Sequence, residues 1–169
     1  MSDIIFWRHA DAHEATLGQD DLDRKLSVKG QRQAERIAFW LDRNLPQQCR
    51  VFVSPAKRAQ QTARCLSRKN KTLNELNPDA RPEAVLAAVG WGIHAEPIVL
   101  VGHQPWIGEC IHWLLMDAAA PLTVRKGAAW WLQSRERDAV GGLGQVSQPG
   151  QLSQVSDVII RAVVTPELL

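Results

Sequence analysis

Neither sign of charge is in surplus in this chain: 20 Lys and Arg stand against 18 Asp and Glu, interleaved along the sequence, for a formal charge of +2. That balance excludes the sustained basic surface that binds nucleic acid or an anionic membrane, so no partner of either kind is expected and any basic character that matters must be local. Long apolar runs are missing too. No segment approaches the roughly 20 residues of a membrane span, and Met1-Ser2-Asp3 lacks the basic start of a secretory signal, so the expected location is the cytoplasm. Cysteine is sparse, three residues without paired spacing, which excludes a disulfide framework. Cys65 and Cys110 adjoin apolar residues and read as reduced core thiols, while Cys49, between Gln48 and Arg50, has no evident place. Tyrosine is absent against seven tryptophans, a bias with no physical reason visible in the sequence. No Gly-Lys phosphate loop, Cys-x5-Arg loop or Ser-centred nucleophile elbow occurs, which sets those phosphotransfer and hydrolase classes aside.

The 169 residues, 45% hydrophobic and 22% charged, suit one globular domain over 1–169 that folds without a structural metal. Ile4-Ile5-Phe6-Trp7 is a short apolar run that ends abruptly in Arg8-His9, the pattern of a buried strand delivering reactive groups at its carboxyl edge. Residues 10–26 are polar and acidic and read as a loop over that edge. Ser27 can cap a helix whose Ala34, Ile37, Ala38, Leu41 and Leu45 share one face, ended by Pro46. Val51-Phe52-Val53 is a second strand. Ser54-Pro55 is expected to cap and open a helix to about Ser67, with Arg58 in its first turn. After a polar connection over 69–81, Pro82-Glu83 starts a helix that stops at Gly90. Ile98 to Val101 is the most strand-like run, ends in Gly102-His103, and precedes a helix with Trp106, Ile107, Cys110 and Ile111 on its apolar face. Ala128 to Leu132 and Val155 to Val164 read as strands joined by a long Gly-, Gln- and Ser-rich loop over 138–153. The pattern predicts an α/β fold: a three-layer α/β/α sandwich, mostly parallel, with antiparallel pairing near the C-terminus.

Three strands thus end in Arg8-His9, in Ser54-Pro55 with Arg58, and in Gly102-His103. If they are sheet neighbours, two guanidinium groups and two imidazoles surround one small space suited to a dianionic phosphate. A neutral histidine held in one tautomer could then attack phosphorus and carry the phosphoryl group until water removes it, while the arginines and the other histidine stabilise the transferring oxygens. Two readings from other classes stay open. His9, Asp11 and His13, with His103, have a spacing that could ligate zinc for a metal-dependent hydrolase, against which Arg8 and Arg58 place fixed positive charge. The same pocket could serve a non-catalytic phosphate-recognition module, which would have no use for a nucleophile. His94 and His112 are assigned no role, and Trp106 reads as core rather than groove wall.

Arg8-His9-Ala10 resembles the signature of the histidine phosphatase superfamily. Ser54-Pro55-Ala56-Lys57-Arg58-Ala59-Gln60-Gln61-Thr62-Ala63 is similar to its second motif and Val99 to Pro105 to its third, with Leu26-Ser27-Val28-Lys29-Gly30 between, all in family order. The short chain, the Leu76-Asn77-Pro78 turn and the compact Gly-His-Gln-Pro are most similar to SixA-type phosphohistidine phosphatases. The resemblance implies a phosphoglycerate mutase-like fold, His9 as nucleophile, and Arg8, Arg58 and His103 as the phosphate pocket. It implies no metal and no cofactor. The substrate it implies is a phosphorylated protein carrying phosphohistidine or, alternatively, a small phosphorylated metabolite. Acid-phosphatase members carry aspartate where this chain has Gln104, and mutase-like members a glutamate in a segment resembling Leu73-Asn74-Glu75, so Glu75 is the candidate general acid. A site poor in acid favours phosphohistidine, whose protonated imidazole already leaves readily, over esters whose leaving oxygen must be protonated.

Overall fold

The computed structural model describes residues 2–118, 120–134 and 158–169. Strand β1 (Asp3–Arg8) is followed by a 3-10 turn at Asp21–Asp23, helix α1 (Val28–Asn44), β2 (Arg50–Val53), α2 (Lys57–Arg64) and β3 (Asn70–Thr72). A second 3-10 turn at Asn74–Leu76 leads to α3 (Pro82–Val89), β4 (Ile98–Gly102), α4 (Trp106–Met116), β5 (Ala129–Ser134), β6 (Val158–Val164) and a last 3-10 turn at Pro166–Leu168. The six strands form one sheet in the order β3-β2-β4-β1-β5-β6. The first four are mutually parallel, and β5 pairs antiparallel with both β1 and β6.

Helices cover both faces, which is why the central strands are apolar throughout rather than alternating. Ile5 and Trp7 of β1 face the layer of α1 and α2, packing with Ile37, Leu41, Ala59 and Ala63. Ile4 and Phe6 face α3 and α4 and pack with Val85, Leu86, Trp106 and Ile107. Every residue of β4 is buried. Helix α1 begins where Ser27 Oγ accepts the Gly30 amide at 2.9 Å, satisfying one of the amides a helix start leaves free. Its expected apolar face is buried throughout, each Ile or Leu side chain contributing about 1.5–3 kcal/mol over exposure. Gly30 is required there, since a Cβ would lie 1.8 Å from the Asp11 carbonyl oxygen. Gly90 ends α3 in the left-handed conformation (φ 64°).

The three-layer α/β architecture is the expected one, with three local corrections. Ser54 does not cap α2, whose cap is Ala56 without a side-chain bond; the helix starts two residues later and the Ser54 hydroxyl is engaged by His103 and the Ala56 amide. The helix ends at Arg64, short of Ser67. The connection over 69–81 contains a strand: β3 is exposed at all three positions and lies at the sheet edge, so it carries none of the apolar periodicity by which strands are read. The expected 138–153 loop and the start of the last strand at Val155 lie outside the described residues. Among the described residues, no helix is long and apolar enough to cross a membrane. The cysteines are free thiols, Cys110 buried and Cys49 and Cys65 half-buried.

Candidate active site

The sheet order places β2, β4 and β1 side by side, so their carboxyl ends form one edge. Register holds them level: Arg8 pairs with Gly102 and Val53 with Val101. One residue further on, the His9 amide donates to the Gly102 carbonyl (2.9 Å) and the Ser54 amide to that of Val101 (3.0 Å). The segment before β5 closes the far side, with the Gly127 amide donating to the His9 carbonyl (3.0 Å). Helix α2 is pinned to the same edge, because Thr62 Oγ1 accepts the Ala10 amide at 3.1 Å and donates to the Arg58 carbonyl at 2.8 Å. The loops therefore leave little freedom to the side chains they carry.

Arg8, His9, Arg58 and His103, drawn from the ends of β1 and β4 and the first turn of α2, meet at this edge. The His9 and His103 rings lie 5.1 Å apart, centroid to centroid. His9, Arg58 and His103 are 6%, 4% and 2% exposed, a depth at which polar side chains need partners. His9 Nδ1 lies 2.8 Å from the Ala10 carbonyl. A carbonyl only accepts, so Nδ1 carries the proton, and Nε2 receives the Arg58 Nε–H at 3.3 Å through its lone pair. His103 is held the other way round, with Nε2 2.7 Å from Ser54 Oγ, which also accepts the Ala56 amide at 3.2 Å. Its Nδ1 is buried without a partner among the described residues, and so is Arg8 Nε. Arg8 Nη1 donates to the Val124 carbonyl at 2.6 Å. Arg58 is clamped by a single residue, Nη1 donating to the Asp21 carbonyl (2.6 Å) and Nη2 to its carboxylate (2.7 Å).

Both histidines are neutral at physiological pH. Burial lowers the pKa of His9 to about 3; its bond to Ala10 works the other way, and Arg58, Arg8 and Lys126 lower it further. Burial, then His9 and Arg58, and last Arg8, lower His103 to about 2 against the opposing effect of Asp21. Burial and the neighbouring Arg58 also lower Arg8. At Asp21 burial acts upward, but hydrogen bonds from Arg24 and Arg58 outweigh it and hold the carboxyl below its ordinary value. The pocket thus combines fixed positive charge with uncharged imidazoles.

The remaining expected residues fall elsewhere. Glu75 is exposed on the second 3-10 turn, on a groove also lined by Asp20, Asp21, Leu22, Asn74 and Asn77. Gln104, where acid phosphatases carry aspartate, is taken up by packing: its Nε2 donates to the Leu122 carbonyl (2.6 Å) and its Oε1 accepts the Gly108 amide (2.9 Å). The zinc reading loses its donors. Asp11 is bonded to Ser27 Oγ (2.7 Å) and Lys126 Nζ (3.0 Å), His13 is exposed, and among the described residues no three His, Cys, Asp or Glu gather as metal ligands do. Trp106 is fully buried in the core and lies against Gly102, where a Cβ would stand 2.0 Å from its ring. Sequence reading missed Asp21, Ser54 and the Val124 carbonyl. For Ser54 there is a signal, a hydroxyl beside the second strand end, which a following proline makes resemble a helix cap; a main-chain carbonyl leaves no signal at all.

The profile of the histidine phosphatase superfamily (branch 1) matches residues 4–83, a span that includes Arg8, His9 and Arg58. The resemblance carried by the sequence motifs is borne out over that span. Among solved structures, the protein histidine phosphatase SixA in complex with tungstate is similar, with a TM-score of 0.76, 19% identity and 98% of each chain covered. A mutant phosphoserine phosphatase from Entamoeba histolytica, in complex with phosphoserine, superposes with a TM-score of 0.68, 16% identity and 100% of each chain covered. A second structure of phosphoserine phosphatase from the same organism, in complex with 3-phosphoglyceric acid, gives 0.62 at 16% identity, again over 100% of each chain. At these identities the likeness is one of fold, a phosphoglycerate mutase-like α/β sandwich. No curated protein matches the sequence.

Proposed function

We propose that the chain is a histidine phosphatase, one domain over 1–169 working without metal or cofactor, in which His9 Nε2 attacks phosphorus and carries the phosphoryl group. The observation that supports this is the bonding of His9: Nδ1–H held by the Ala10 carbonyl, and an Nε2 lone pair turned toward Arg58. A residue needed only for binding would offer a donor there, which disfavours a pure recognition module. In the first half-reaction the Nε2 pair forms the N–P bond as the bond to the leaving group breaks and its electrons depart with that group. In the second, water attacks phosphorus, the electrons of the N–P bond return to His9 Nε2, and the proton that water gives up passes to a phosphate oxygen. Arg58 and Arg8 stabilise the equatorial oxygens, and the buried, unpartnered Arg8 Nε and His103 Nδ1 are the donors a phosphate oxygen would satisfy. With Ser54 Oγ–H donating to His103 Nε2, Nδ1 carries the proton that makes such a donation.

The substrate we propose is phosphohistidine on a protein, in the manner of signalling phosphotransfer. Gln104 supplies no acid and is held by packing, and an imidazole protonated on its distal nitrogen leaves phosphorus as a neutral molecule without further help. A second reading, a small sugar or metabolite phosphate monoester, draws support from Glu75, whose groove is shared with Asp21 beside Arg58. Brief incubation with a low-molecular-weight phosphodonor and a quench in base should leave acid-labile phosphate on His9, located by mass spectrometry; wild-type turnover in His9→Ala would sink the mechanism. A panel of phosphohistidine protein, phosphoramidate and sugar phosphates then separates the two substrates, since a large preference for sugar phosphates selects the second.

A further inference from the structure

Arg58 is the one guanidinium of the pocket whose direction is set by another side chain. Arg8 leans on a main-chain carbonyl, that of Val124, with its Nε left over. Both terminal nitrogens of Arg58 are instead taken by Asp21, one by its carbonyl and one by its carboxylate, while Nε addresses His9 Nε2. Two acceptors from one residue meet two nitrogens of a planar fork, so the plane of the guanidinium is fixed as well as its position. The clamp is itself braced. Asp20 Oδ1 accepts the Leu22 amide (2.9 Å) and caps the 3-10 turn at Asp21–Asp23. Asp21 Oδ1 accepts from Arg24 Nη1 (2.9 Å), and Arg24 Nε donates to the His13 carbonyl (2.7 Å).

We propose that Asp21 is a positioning residue for phosphoryl transfer. It holds the Arg58 fork so that Nε–H points where phosphorus must pass, and it offsets part of the charge Arg58 would otherwise present to bound phosphate. The inference rests on the reading of His9 as nucleophile and adds a residue that acts through Arg58. The two effects push binding and turnover in opposite directions. Without the carboxylate, phosphate gains a stronger cation but loses an aligned donor in the transition state, where alignment counts most.

Three variants test it: Asp21→Asn, Asp21→Glu, and Asp23→Ala as control. Asp23 pairs with Lys57 at 2.8 Å on the same turn and leaves the clamp intact. Expected for Asp21→Asn is a loss in kcat of ten-fold or more with inorganic phosphate inhibiting as well as or better than in wild type. Asp21→Glu should recover part of kcat, and Asp23→Ala should stay within two-fold of wild type. A kcat within two-fold of wild type in Asp21→Asn, weaker phosphate binding matching the kcat loss, or an equal loss in Asp23→Ala would each overturn the proposal. The Arg58 Nε–H resonance, read by NMR without turnover, should exchange slowly in wild type and fast in Asp21→Asn. An unchanged resonance overturns the proposal even if the chain proves to be no phosphatase. A wild type inactive on every phosphorylated substrate, with the resonance changing as expected, fails the functional reading and leaves the clamp standing.

Discussion

The carboxyl ends of β1 and β4 are neighbours in register and each delivers one histidine, yet the two are bonded in opposite senses. His9 is anchored through Nδ1 to a main-chain carbonyl, His103 through Nε2 to the hydroxyl of Ser54. A carbonyl can only accept, so His9 is confined to one tautomer with a free pair on Nε2; a hydroxyl can donate or accept, so His103 can serve as a donor through Nδ1. Identical residues at equivalent strand ends are thereby fitted for the two different parts proposed for them, nucleophile and electrophilic helper. Their environments are alike in burial and charge, and it is the hydrogen bond behind each ring that separates them.

Removing each histidine tests that contrast most severely. His9→Ala should lose about 10⁴-fold or more in kcat, by analogy with the removal of other nucleophiles, and His103→Ala about 10²–10³-fold, the cost of one oxyanion donor. Phosphate trapped on His103 in wild type would invert the assignment. Next come the arginines: Arg58→Ala should cost about 10²–10³-fold, and Arg58→Lys should recover little because a point charge cannot replace the fork. Full recovery by lysine would reduce Arg58 to simple charge. Ser54→Ala removes the anchor of His103 and the acceptor of the Ala56 amide, each worth about 1 kcal/mol, and should lower kcat roughly ten-fold with little change in KM; steady-state kinetics beside a thermal melt decides it.

A separate expectation concerns stability. Both histidines have folded pKa values, about 3 and about 2, below the ordinary 6.5. Between about pH 3 and 6.5 the unfolded chain therefore binds more protons than the folded one, so stability rises with pH through that window and gains nothing more from these groups above it. Urea titrations from pH 4 to 7.5 should show this slope, reduced in His103→Asn. A slope unchanged in a variant lacking both histidines would mean other groups cause it. For the same reason kcat/KM should show no inflection near 6.5 from either side chain.

Most of the scaffold was legible because it rests on patterns of one residue type. Ile4 to Trp7 and Ile98 to Val101 are continuous apolar runs buried on both faces, and α1 carries Ser27 before an apolar stripe and Leu45-Pro46 after it. Asn70 to Thr72 failed because an exposed edge strand needs no apolar residue, only an unsatisfied neighbour to pair with. Within the site, Arg8, His9, Arg58 and His103 stood out because each follows a strand end closely in sequence. Asp21 did not. It sits among several acidic residues of one loop, Asp20 and Asp23 beside it, and which of them meets Arg58 depends on how that loop folds across 37 positions.

The succession of apolar strands along the chain and the residues at their carboxyl ends were determined by sequence alone, since both follow from local periodicity and from breakers such as Pro46, Pro55 and Gly90. The pairing of Arg58 with Asp21, the loss of Asp11 and Gln104 to structural bonds, and the anchoring of the two histidines through opposite ring nitrogens were decided only in the tertiary structure. Each depends on a hydrogen bond to a group distant in sequence or to the main chain, and such partners exist only once the sheet has brought its edge together.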